Sequence, residues 1–152
     1  MRRRLRSRGK SQRGAAAVEF ALVLPFLLMV VLGAIDWGWY FFVREVVTNA
    51  AREGARAGAV ATAANPTQAA QDMARGYLTN FGLTGATAVT ADLSTVGTTN
   101  VITMNVGVTY PVGSLTGFSL YLKGVDYASL VPANVQAQSR MRREGTNPAP
   151  PP

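Results

Sequence analysis

Neither cysteine nor histidine occurs in this 152-residue chain. Their absence excludes a disulfide framework, a thiolate nucleophile, a histidine general base and a zinc site of the usual Cys/His kind. It leaves the compartment open, since exported domains also manage without disulfides. Charge is scarce too: charged residues make up 15% against 48% apolar, a balance low for a soluble domain and suited to a chain partly in lipid. Most of the chain also lacks any excess of one sign. The formal +7 comes from Arg2, Arg3, Arg4, Arg6, Arg8, Lys10 and Arg13, while residues 15–152 hold eight positive and eight negative side chains. A basic total of this kind first suggests a nucleic-acid or membrane-surface binder. Confined to the first fourteen residues and placed directly before an apolar run, it is explained by membrane topology, and no nucleic-acid partner is expected. The length allows one compact domain, or one small domain plus an appendage.

A long apolar run comes directly after that basic leader. Residues 15–43, AAAVEFALVLPFLLMVVLGAIDWGWYFFV, carry only Glu19 and Asp36 as charges. As a helix, Phe20 to Val43 reaches roughly 36 Å, enough for a hydrocarbon core of about 30 Å with some tilt. Trp37, Trp39, Tyr40, Phe41 and Phe42 crowd the far end as an interfacial aromatic belt does. A buried helix of a soluble protein is the alternative, but the residues that remain are too few to wrap so uniformly apolar a rod. The seven leading positives predict a cytoplasmic N-terminus and an external C-terminus. The run exceeds a cleavable signal-peptide core and has no small-residue site promptly after it, which argues against ordinary secretion.

Past the run, residues 44–64 predict an amphipathic extension of the same helix. Val43, Val47, Ala50, Gly54, Ala57 and Ala61 form a narrow apolar stripe. Ala50, Gly54, Gly58 and Thr62 also form a ridge of small residues that lets another backbone approach. Packing on the chain's own domain and contact between subunits both fit that ridge. Asn65-Pro66 predicts the start of a second helix, with Gln68 to Phe81 presenting Ala70, Met73, Ala74, Tyr77, Leu78 and Phe81 on one face. The period then changes to two. Strands are expected over Thr87 to Leu93, Asn100 to Tyr110 and Val131 to Met141. Their inward sets are Val89, Ala91 and Leu93; then Ile102, Met104, Val106, Val108 and Tyr110; then Val131, Ala133, Val135, Ala137 and Met141. Three strands on a helix make a minimal stable sheet, so residues 65–145 predict a small extracytoplasmic α+β domain. Pro111 to Leu130 has no clear period and reads as an excursion with room for a short strand. Residues 146–152 read as a disordered, Pro-rich tail.

No catalytic motif is present: no G-x-S-x-G, no P-loop, no H-E-x-x-H and no G-x-G-x-x-G. The acids outside the apolar run are scattered, so neither an enzyme nor a cofactor or metal site is expected. The informative pair is Gly14 with Glu19. A carboxylate at the centre of a spanning helix costs about 2.5–3.5 kcal/mol, less near an interface, and should have a partner. A cut after Gly14 would create an amine on Ala15, about 6 Å along the axis from Glu19, and strip all seven excess positives. The alternative is an uncleaved single-pass membrane protein whose glutamate snorkels to the cytoplasmic face and whose small extracytoplasmic domain binds a partner.

The basic leader, Gly14 and the run AAAVEFALVLPFLLMVVLGAIDWGWYF resemble the prepilin-type segment of type IV pilins and pseudopilins. More narrowly, RGAAAVEFALVLP, TNAAREGARAGA and QSRMRREG resemble the TadE-like family, minor pilins or pseudopilins of the tight-adherence (Flp) pilus. Three motifs at the start, middle and end carry this likeness over nearly the whole chain. The resemblance implies cleavage after Gly14 by a prepilin peptidase, with residues 1–14 as leader and Ala15 as the mature N-terminus. It implies that Glu19, fifth in the mature chain, serves processing or assembly, and that Pro25 is the proline of the pilin helix, where a kink is permitted. Ala50, Gly54 and Gly58 lie in the middle motif as helix-packing positions. Asp36 stands where relatives more often carry glutamate, and Ala15 where other type IV pilins often carry phenylalanine. The implied partners are the peptidase, other pilins or pseudopilins, the inner-membrane assembly platform and the lipid bilayer. The implied fold is α+β, and the implied role is pilus biogenesis and surface adhesion. Flp major pilins are much shorter, which points to a minor component.

Overall fold

The computed structural model describes residues 9–62, 64–86, 88–96, 101–117 and 132–143, with side chains from Gly14 onward and excepting Val96. The expected tail, the short strand within 118–130 and the first eight residues lie outside them. The architecture is α+β, as the change of period predicts. Helix α1 runs from Gly9 to Val60, α2 from Pro66 to Asn80, and the strands are β1 (Ala88–Val96), β2 (Val101–Pro111) and β3 (Asn134–Arg142). They form one antiparallel sheet in the order β1-β2-β3.

α1 continues through Pro25 without a break. The missing proline N–H frees the carbonyl one turn earlier, at Ala21, from its usual bond. On the second half of α1, Val43, Val46, Val47, Ala50, Ala51, Gly54, Ala55, Gly58 and Ala59 are buried. The buried face is therefore wider than the expected stripe, and Ala57 and Ala61 are only half-buried. Its members fall into two i+4 rows, 43–47–51–55–59 and 46–50–54–58. Such rows are inclined to the helix axis, so the face winds around the rod instead of running straight up it.

α2 starts where Asn65 and Pro66 predict. The Gln68 N–H donates to Asn65 Oδ1 at 3.3 Å, and Pro66 occupies the first turn, where no N–H is required. Its far end closes in a Schellman turn. Leu83 N–H reaches the Leu78 carbonyl and Gly82 N–H that of Thr79, both at 2.9 Å, with Gly82 at φ +75°. Ala70, Ala74 and Leu78 are buried, whereas Met73 and Phe81, expected on the same face, are exposed. They sit at the margins of the apolar arc, where Phe81 meets the Phe42 ring of α1 yet stays open to solvent.

The sheet register puts Val89 beside Val108 and Ala137, and Leu93 beside Met104 and Met141. Met104, Val106 and Val108 of the central strand are buried, while Leu93 and Met141 on the edge strands are partly open. α1 packs on α2, β2 and β3. The core is this single layer between the upper half of α1 and the rest of the chain.

Candidate functional site

α1 is two objects in one helix. Val18, Phe20, Leu22, Val23, Phe26, Leu27, Leu28, Val30 and Val31 are all exposed, and the first fully buried positions are Gly33 and Asp36. Among the described residues this is one helix long and apolar enough to cross a membrane. The bare part from Ala15 to Ile35 measures roughly 31 Å at about 1.5 Å per residue, close to the thickness of a hydrocarbon core. It ends earlier than the run of apolar letters, because the head covers one face of the helix from Asp36 onward.

Asp36 marks that boundary. It is 2% exposed and is the buried charged side chain among the described residues. Ser114 Oγ donates to its Oδ2 at 2.7 Å, Thr116 Oγ1 to the same oxygen at 2.9 Å, and the Thr116 N–H to Oδ1 at 3.0 Å. The loop closes on itself through the Gly117 N–H, which donates to Ser114 Oγ at 3.0 Å. Both residues lie just past the end of β2, so the sheet delivers the donors and α1 the acceptor. A carboxylate, which only accepts, suits three converging donors. Sequence reasoning noted Asp36 as a departure from the family pattern and missed this clasp. No local signal points to it, since the partners stand 78 and 80 positions away.

The ridge of small residues is used within the chain. A Cβ on Gly54 would lie 2.8 Å from the Ala70 carbonyl oxygen and 3.0 Å from Ala74 Cβ. One on Gly58 would lie 2.8 Å from both Ala70 Cβ and Met104 Cε. Ala50 is fully buried on the same row. These residues let α2 and β2 approach α1 at backbone distance. Above them, Arg143 Nη2 reaches the Ala61 carbonyl at 3.5 Å, joining the end of β3 to the chain leaving α1.

The other sequence-derived positions stay apart from these contacts. Gly14, Ala15, Glu19 and Pro25 are all exposed on the bare half of α1. Among the described residues no group bonds to the Glu19 carboxylate, and a Cβ on Gly14 would meet nothing within 4 Å. Aromatic rings gather where the bare and packed halves meet. Trp37 lies 5.6 Å from Phe41, Trp39 lies 5.5 Å from Phe42, and Phe42 lies 6.4 Å from Phe81 of α2. Across the solvent face of the sheet, Asn105 Nδ2 donates to Asp92 Oδ2 at 3.0 Å and Ser94 Oγ at 2.6 Å, leaving its buried Oδ1 without a partner.

A long helix with one bare apolar half and a small α+β head clasped to the other half defines a membrane-associated rod-and-head protein. Residues 14–56, from the bare half of α1 to just past Gly54, match the family model of the TadE-like protein. Neither the curated proteins nor the solved structures yielded a match.

Proposed function

We propose that this chain is a minor pilin or pseudopilin of a tight-adherence pilus or a related secretion apparatus. It is inserted in the inner membrane with residues 1–14 in the cytoplasm and the head in the periplasm, then cut after Gly14 by a prepilin peptidase. The observation that carries this reading is the division of α1: its first half is almost wholly exposed, and the family match begins at Gly14. A surface of that size is covered by lipid before assembly and by neighbouring subunits after it. Removing the leader takes away seven positive charges that hold the helix across the bilayer, and it creates at Ala15 an amine within a helical turn of Glu19. The open space around Gly14 supports an external reason for glycine there, such as a peptidase's need for a slim backbone. Other pilins and the assembly platform are the partners of the bare half, and adhesion is the role proposed for the assembled structure.

Intact mass of the full chain, co-expressed with and without a prepilin peptidase, tests the proposal. Loss of residues 1–14 only with the peptidase is expected. A full-length chain in both cases would leave the uncleaved single-pass membrane protein as the reading.

A further inference from the structure

Two large apolar side chains of the head are exposed at the end facing the bare helix, and they come from separate elements. Leu115, 59% exposed, lies between Ser114 and Thr116, the two residues bonded to Asp36, so it sits at the level of Asp36 on the rod. Phe81, 46% exposed, closes α2 and touches Phe42. Tyr77 stacks on Phe81 at 5.1 Å from within α2. Trp37, Phe41 and Phe42 of α1 are exposed at the same levels. The rim of the head is thus apolar and aromatic, and continuous with the bare half of α1.

We propose that this rim, with Phe81 and Leu115 as its head-derived anchors, rests in the headgroup layer of the bilayer that α1 enters. The inference rests on the membrane-spanning reading above and adds that the head lies on the membrane instead of standing off it. Polar loop backbone is excluded from the hydrocarbon, so the loop holding Asp36 sets the end of the span near Ile35. Along the axis, Asp36 then lies about 1.5 Å and Phe42 about 10 Å beyond that end. The headgroup layer is about 5–8 Å deep on each side. A tilt of about 20°, ordinary for a spanning helix, lowers a side chain about 10 Å off the axis by roughly 3 Å. That brings Phe81 to the layer when the tilt is toward α2. Aromatic rings prefer this layer because it offers apolar contact for the ring body beside hydrated groups. Continuity with the bare helix favours lipid over a second copy of the chain as the occupant.

The chain has no cysteine, so single labels can be placed without removing any. Full-length Phe81→Cys, Leu115→Cys, Met73→Cys and Leu28→Cys variants, each carrying a nitroxide, are reconstituted in phosphatidylcholine–phosphatidylglycerol vesicles at high and low protein-to-lipid ratios. Collision with oxygen and with a water-soluble nickel complex reports depth. Met73 is the aqueous reference, being 48% exposed on α2 beside Ala74, which packs at the Gly54 level about 28 Å beyond Ile35. The expected result is an oxygen-to-nickel ratio at positions 81 and 115 several-fold above that at 73, approaching that at 28, and unchanged on dilution. Ratios at 81 and 115 equal to that at 73, with 28 in lipid, overturn this inference and leave the spanning reading standing. Shielding that disappears on dilution assigns the rim to a second copy and also overturns it. A label at 28 that reports water overturns the spanning reading, and this inference with it.

Discussion

Thr116 grips Asp36 twice, through its backbone N–H at 3.0 Å and its hydroxyl at 2.9 Å, across 80 positions of sequence. The contact pins the loop after β2 to the helix at the point where the bare half begins. At this end of the helix, a sheet and a rod that meet largely through apolar packing are thereby held in one register. It also leaves a buried carboxylate whose hydrogen-bonding capacity is used by its own chain.

Replacing that carboxylate should loosen the head. Asp36→Ala leaves the Thr116 N–H and two hydroxyls without their acceptor, a loss of about 1–3 kcal/mol for a buried polar group stripped of its partner. Urea unfolding of the detergent-solubilised protein should shift to a lower midpoint, with earlier proteolysis in residues 112–117. An unchanged midpoint would show that water replaces the carboxylate without cost.

The two ridge glycines and Gly38 should respond in opposite directions. Gly54→Ala drives a Cβ to within 2.8 Å of the Ala70 backbone oxygen, which cannot rotate away. We expect a loss of about 1–3 kcal/mol, the usual cost of overpacking. Gly58→Ala should cost less, because the flexible Met104 side chain is one of its two nearest neighbours. Gly38→Ala meets open space and should stabilise the helix by about 0.5–1 kcal/mol. Thermal melts of the three variants in the same detergent check the order.

At the end of α2, Gly82→Ala should destabilise by about 1–2 kcal/mol, since its φ of +75° is left-handed and an L side chain there is strained. Gly76→Ala, earlier in α2 and facing open space, should be stabilising by about 0.5–1 kcal/mol. Opposite shifts in unfolding midpoint would separate a cap effect from general helix propensity.

Substitutions in the bare half should leave the head unaffected. Gly14→Leu and Glu19→Ala both alter exposed positions remote from the core, so their unfolding midpoints should match the parent within about 0.5 kcal/mol. If the proposed function holds, Gly14→Leu blocks removal of residues 1–14 in the mass assay, while Glu19→Ala lowers incorporation into filaments. A head destabilised by either change would place these residues in a structural role instead.

Much of the architecture was legible because it depends on local chemistry. The Asn65-Pro66 start of α2, the alternation of β2 around Met104, Val106 and Val108, and the small-residue ridge at Gly54 and Gly58 all lie where period and residue type put them. Periodicity read less well at margins. Phe81 and Met73 share the apolar arc of α2 but stay exposed at its edges, Phe81 against the Phe42 ring of α1, and Val46, Ala51 and Ala55 widen the buried face of α1 beyond a single stripe. A straight stripe assumes one row of contacts along the helix, whereas two inclined rows are buried here.

Local residue order sufficed for the apolar rod, the cluster of basic residues before it, the two-helix and three-strand order and the resemblance to the TadE-like family. Each of these depends on residues near one another in the chain. Where the rod ceases to be bare, and the use of the glycine ridge within the chain, came from the packing of distant elements. That packing also assigned Asp36 its partners. Those outcomes depend on which distant loop reaches the helix, and sequence spacing carries no information about a hydrogen bond closed across eighty residues.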